Sequence, residues 1–137
     1  MLSGLFNATT IPALAEVVNF AQARQTVLAG NVANVNTPGY RLRDLSQPAF
    51  QQKLKEALAS ARASAEPISP GLAKSEPGDP MREVRASLEN IVYHDDTNID
   101  LEKQVAEMTK NHLLHNFAIA VMTDQFQLLQ TAISERV

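Results

Sequence analysis

The sequence predicts an all-α protein whose long N- and C-terminal helices pack as a coiled coil, with a partly extended or irregular middle segment between them. Near the N-terminus, Leu14, Val18, Ala21, Gln25, Leu28, Val32 and Val35 alternate spacings of four and three. Near the C-terminus, Leu101, Val105, Met108, His112, His115, Ile119, Met122, Phe126, Leu129 and Ile133 do the same without a slip. Such a repeat holds one seam toward a partner helix. Between the two seams, residues 64–81 hold four Pro and two Gly among Ser, Ala and Glu. That composition cannot bury enough apolar surface to offset the entropy of ordering.

Taken in order, residues 1–9 are expected to stay mobile in an isolated chain. The first helix should begin near Thr10, which can cap the first turn while Pro12 sits where a missing N–H costs nothing. It runs to about Asn34, roughly 37 Å at the standard rise. Gly30 inside it is disfavoured against Ala, so a close approach by a neighbouring helix is expected there. The helix ends on Asn34-Val35-Asn36-Thr37-Pro38-Gly39-Tyr40, where Pro38 cannot continue a helix and Gly39 is expected at positive φ. This turn should send residues 41–62 away from the first helix and toward a neighbouring subunit.

A second, shorter helix is expected from Pro48 to about Ala63, with Phe50, Leu54, Leu58 and Ala61 on one face. The Pro-rich stretch from Ser64 to Met81 reads as a connector, and residues 82–94 fit a helix or a short extended piece at Ile91-Val92-Tyr93 equally. The last helix should start between Asn98 and Asp100, either of which can cap it, and continue to about Glu135, roughly 54 Å. Beside its seam runs a second stripe, Leu114, Ala118, Val121, Gln125, Leu128 and Ala132. One partner helix cannot cover both, so one stripe should face the chain's own N-terminal helix and the other its neighbours. The chain thus divides into residues 1–40, 41–97 and 98–137.

Composition narrows the function classes. With no Trp, two Tyr and five Phe among 137 residues, there is little bulky material for a compact core, while Ala, Leu and Val suit helix interfaces. A net charge of −3 offers no basic field for nucleic acid. The charge is uneven: residues 41–62 carry five basic and two acidic side chains, whereas Asp95 to Glu107 carries five acidic groups and one Lys. The two stretches either face each other across a subunit contact or stand as separate solvated faces. There is no cysteine, so disulfides and thiolate metal sites are excluded. The N-terminus lacks a basic n-region, and no apolar run approaches ~18 residues, so neither Sec targeting nor a membrane span is expected.

Two constellations resemble chemical sites. Asp96, Asn98, Asp100 and Glu107 fall at positions one, three, five and twelve of a calcium loop, but Leu101 stands where the loop needs Gly, and the residues from Asp100 onward read as helix. Helix capping explains them better. His112 and His115 lie on one helix face, yet no Asp or Glu occurs from Asn111 to Thr123 to complete a metal site. A polar layer that fixes helix register is the better reading. Nothing points to catalysis, a metal or a cofactor, so no enzyme is expected.

The run Asn31-Val32-Ala33-Asn34-Val35-Asn36-Thr37-Pro38-Gly39-Tyr40 resembles the N-terminal signature of the bacterial flagellar axial family, the rod, hook and hook-associated proteins. Asn98-Ile99-Asp100-Leu101-Glu102-Lys103-Gln104-Val105-Ala106-Glu107-Met108 looks like the C-terminal helix start of the short rod subunit among them. The resemblance covers residues 10–45 and 94–137. It implies a structural subunit of the proximal rod of the basal body, in the periplasm, exported by the flagellar type III apparatus and polymerising into a helical rod that transmits torque. The implied partners are further copies, the rod proteins FliE, FlgC and FlgF, and the export gate. The rival reading is a cytoplasmic coiled-coil adaptor or export chaperone, which would show heptads but has no use for the Asn-Thr-Pro-Gly-Tyr terminator.

Overall fold

A computed structural model describes residues 9–65, 81–82, 84–85, 92–95 and 101–134. The expectations for residues 1–8, for most of the connector, for the Asn98/Asp100 cap and for the calcium-like Asp96, Asn98 and Asp100 lie outside these residues. The described elements run α1 (Ile11–Ala33), β1 (Leu42–Leu45), α2 (Gln47–Ala65), β2 (Val92–Asp95) and α3 (Leu101–Ser134). Long terminal helices flank an irregular middle, and α1 against α3 is the dominant contact.

Both long helices match their expected bounds to within three residues, but the first is not capped by its Thr10 side chain. Instead Thr9 Oγ1 accepts from Ile11 N at 3.4 Å. Pro12 occupies the first turn as expected. α2 begins one residue earlier than its proline suggests, because Ser46 Oγ accepts from Ala49 N at 3.3 Å and caps the helix.

Two features depart from the sequence reading. β1 and β2 form an antiparallel ladder from Leu42 opposite Asp95 to Leu45 opposite Val92. The extended alternative therefore holds at Val92 and Tyr93, which belong to a strand pair, and Asp95, the first of the acidic stretch, lies opposite Leu42 of the basic one. In addition, residues 41–62 do not leave α1 for a neighbour. They fold back on it, and the rings of Phe20 and Phe50 stack with centroids 4.2 Å apart. The core around them holds Ala13, Leu45, Ala57, Met81 and Val84. Burying a side chain such as Phe50, Leu45 or Val84 contributes roughly 1.5–3 kcal/mol, which favours folding the segment back over leaving it free. Met81, assigned to the connector by composition, is 3% exposed and belongs to this core. At its edge, Arg85 Nε donates to the buried Glu16 Oε1 at 2.8 Å.

Candidate functional site

The helix pair α1·α3 is the part of the molecule with features beyond those a core needs, and its geometry follows from three buried polar contacts. Asn31 Nδ2 donates to Gln104 Oε1 at 3.1 Å, Arg24 Nη2 to Glu107 Oε2 at 3.0 Å, and Asn111 Nδ2 to Ala21 O at 2.7 Å and Gln25 Oε1 at 2.9 Å. The α1 number falls as the α3 number rises, so the helices run antiparallel. The buried residues of α3 are Gln104, Asn111 and Ala118, spaced by sevens. This heptad face runs into the second of the two expected stripes at Ala118 and not along the Leu101–Ile133 seam.

Of the predicted α3 seam, Leu101, Val105, His112, Ile119, Phe126 and Ile133 are exposed, while Met108, His115, Met122 and Leu129 are half-buried on the flank toward α1. The neighbouring stripe of Leu114, Ala118, Val121 and Gln125, continued upward by Gln104, Glu107 and Asn111, is what turns inward. The physical reason lies on α1. The surface it offers includes Ala21, Arg24, Gln25 and Asn31, small or polar groups that hydrogen-bond, so α3 presents matching polar and small residues. On the far flank, Leu113, Phe117 and Leu128 are 63%, 67% and 64% exposed.

Of the predicted α1 seam, Ala21 and Leu28 are buried and Leu14, Val18, Gln25, Val32 and Val35 half-buried. At the register of the three polar contacts, Ile11 stands opposite roughly residues 120–124, so the last ~15 Å of α3 run past the described start of α1. Phe126 and Ile133, at 45% and 59% exposure, lie on that overhang.

Arg24 is the electrostatic centre. Its side chain is 3% exposed and forks onto Asp44, Nε to Oδ1 at 2.7 Å and Nη2 to Oδ2 at 2.6 Å, while also reaching Glu107. Bidentate geometry of this kind is the strong form of an ion pair. The Asp44 hydrogen bond raises the guanidinium pKa against the opposing effect of burial. The Glu107 carboxyl is lowered by the ammonium of Lys110, 2.8 Å away, and then by Arg24. One arginine thus joins α1, β1 and α3.

The motif residues have separate tasks. Asn34 closes the helix, its Nδ2 donating to Gly30 O at 2.8 Å, so α1 ends before Pro38 is reached. Thr37 N donates to Asn34 O at 2.9 Å and Tyr40 N to Thr37 O at 3.2 Å, which winds the turn. Gly39 has φ 76°, the only positive value among the described residues. Asn36 and Pro38 are exposed. Asn31, 1% exposed, is the hub: Nδ2 donates to Arg43 O at 2.6 Å, and Oδ1 accepts from Arg43 N at 3.1 Å and Tyr40 Oη at 3.2 Å. Its carboxamide pairs with the Arg43 backbone as a neighbouring strand would. Among the described residues Gly30 faces no neighbouring helix, since a Cβ there would meet only Tyr40 Oη at 4.0 Å.

His112 and His115 border a groove of about 460 Å³ between α1 and α3, together with Gln22, Gln25 and Asn116. The polar contacts given above across the pair are made by Gln104, Glu107 and Asn111. Among the described residues no three His, Cys, Asp or Glu stand close enough to hold a metal, and no helix is long and apolar enough to cross a membrane.

With this geometry in view, the chain was compared with known proteins. A family described as flagella basal body rod protein matches residues 18–41, the stretch from mid-α1 through the turn. FlgB of Salmonella typhimurium is 25% identical over 119 residues, 82% of this chain and 83% of its own length. FlgB of Escherichia coli K12 is 24% identical over 118 residues, 82% and 83%. FlgB of Bacillus subtilis is 25% identical over 125 residues, 91% and 93%. The chain is thus similar to FlgB proteins over most of its length, and its stretch from mid-α1 through the turn is similar to the flagella basal body rod protein family.

Proposed function

We propose that the chain is a structural, non-catalytic subunit of the flagellar basal body rod, which polymerises through its terminal helices and carries torque as part of the proximal drive shaft. The observation that carries this reading is the division of α3 into one face satisfied inside the chain and two apolar flanks left in solvent, with Val105, Phe117 and Phe126 at 49%, 67% and 45% exposure. Apolar stripes this long on a helix stay in water only at a cost, and packing against further helices removes it. Long interlocked helices suit a shaft because load is shared among many close-packed contacts. The subunit contacts are assigned to the exposed members of the predicted seam, Leu101, Val105, His112, Ile119, Phe126 and Ile133, and the three regions 1–40, 41–97 and 98–137 act as axial helix, variable middle and axial helix. Neighbours of the kind FliE, FlgC and FlgF, and an export gate beneath them, fit this place in the rod.

The test introduces a charge on the exposed flank. Val105→Asp and Phe126→Asp should leave the helicity of the purified chain unchanged, because neither side chain is buried. In cells lacking the native gene, both variants should be exported yet fail to support rod, hook or swimming. Normal swimming by both would remove the flank from the assembly. Native subunit confined to the cytoplasm and absent from purified basal bodies would favour the adaptor or chaperone reading.

A further inference from the structure

We propose that the three buried polar contacts between α1 and α3 form a register lock: Asn31, Arg24, Gln25, Gln104, Glu107 and Asn111 select one antiparallel alignment of the chain's own two helices and reject the apolar pairings otherwise open to α3. Two observations carry this. First, the polar groups sit on the heptad face with spacings that match across the pair. Gln104 meets Asn31, and Asn111, seven residues further on, meets Ala21 and Gln25. Sliding the pair by one heptad sets Gln104 against the Ala21–Gln25 region and leaves Asn31 and Arg24 without their α3 partners. Arg24 keeps Asp44 and Asn31 keeps Tyr40 and the Arg43 backbone, so slipping forfeits only the bonds that cross to Gln104, Glu107 and Asn111, and that loss disfavours the slipped state.

Second, the lock is not built for maximal stability. Among the described residues, Arg24 Nη1 and Asn111 Oδ1 are buried with no hydrogen-bond partner. An apolar layer would avoid both penalties, and α3 has the side chains for it on its flanks. Leu101, Val105, Ile119 and Phe126 form a seam that would pair readily with a second copy of itself, yet they face outward. The polar face therefore decides which surface of α3 is used inside the chain and which is kept for contact with other helices. This assignment does not depend on which larger assembly the chain enters.

The absence of cysteine permits a direct measurement. Nitroxide labels on Ala29→Cys in α1 and Asn116→Cys in α3, both exposed positions, report the axial offset of the full chain. The native sequence should give one narrow distance. The near-isosteric variant Gln104→Met with Asn111→Leu should keep its helicity and its urea midpoint, or raise the midpoint. It should also add populations displaced by roughly 10 Å, one heptad of rise, together with dimers in sedimentation. A companion with Asn111→Ala in place of Leu relieves crowding and should behave alike. A single native distance in both variants would overturn the proposal, as would a broad distribution in the native chain. Loss of helicity in both variants would also overturn it, since the polar face would then be a source of stability and not a selector.

Discussion

Replacing Asn31 by Asp changes one atom group and keeps the shape, which makes it a sharp probe of how the first helix is joined to the strand that follows. The Asn31 side chain makes four hydrogen bonds, two through Nδ2 and two through Oδ1. In Asn31→Asp the two accepted bonds persist, but Nδ2 becomes an oxygen facing Arg43 O and Gln104 Oε1, at positions 2.6 Å and 3.1 Å apart in the native protein. An ionised carboxylate can only accept, so the contact with the Arg43 carbonyl turns repulsive inside a site that is 1% exposed, and Gln104 must turn its amide to donate instead. Leaving a buried polar group unsatisfied costs about 1–3 kcal/mol each, and a buried charge adds to that. With four bonds lost and the Arg43 backbone left to find other partners, Asn31→Ala should lose about 2–4 kcal/mol, and Asn31→Asp at least as much despite its better shape. Against a total of roughly 5–15 kcal/mol this is a large fraction. Urea unfolding followed by circular dichroism gives the global loss, and hydrogen exchange at the Arg43 amide gives the local one. An Asn31→Asp protein within about 0.5 kcal/mol of native, the range of an ordinary surface change, would refute the hub role.

Other perturbations test the remaining joints. Gly39→Val should destabilise by about 1–3 kcal/mol through backbone strain alone, since φ is 76° and nothing lies within 4 Å of an added Cβ; a denaturation midpoint equal to native would contradict this. Gly30→Ala should raise stability by about 0.5–1 kcal/mol, because a helical Gly is replaced and the new methyl makes only an ordinary contact with Tyr40. A fall in thermal midpoint would show unseen crowding. The Glu107 carboxyl is lowered from its ordinary 4.5 by Lys110 and Arg24, so its contribution is fully present above about 4.5 and is lost as pH falls through the lower folded value. Lys110→Met should move that acid loss to higher pH in a pH series of urea midpoints. An unmoved profile would assign the lowering to other groups.

The two long helices and the positive φ of Gly39 were legible because each depends on local signals: spacing, proline and the glycine that follows it. The choice of face was not. Apolar periodicity marks the side chains that leave water most favourably, and in this chain those with the clearest repeat, such as Val105 and Ile119, stand in solvent, while Gln104 and Asn111 go inside. Nothing in the heptad of α3 announces that its partner offers Asn31 and Arg24. The β1–β2 pairing joins residues about fifty positions apart, and Leu42-Arg43-Asp44-Leu45 is too short to show an alternation. Met81 was hidden by the prolines before it, since composition averages over a window while burial is decided residue by residue. Asn31 stood within the recognised motif, but its reach to the Arg43 backbone could be seen only once the chain had turned at Gly39.

The antiparallel pairing with unequal helix lengths gives the subunit two unlike poles. At one, Arg24, Asn31, Asp44, Gln104 and Glu107 cross-tie three elements. At the other, α3 continues alone with Phe126, Leu128 and Ile133 in solvent. A body with a tied head and a bare tail cannot be turned end for end without changing what it presents. Copies that join the bare tail of one to the tied head of the next would all point the same way, and the direction of such a stack would be set by the difference in length between two helices of one chain.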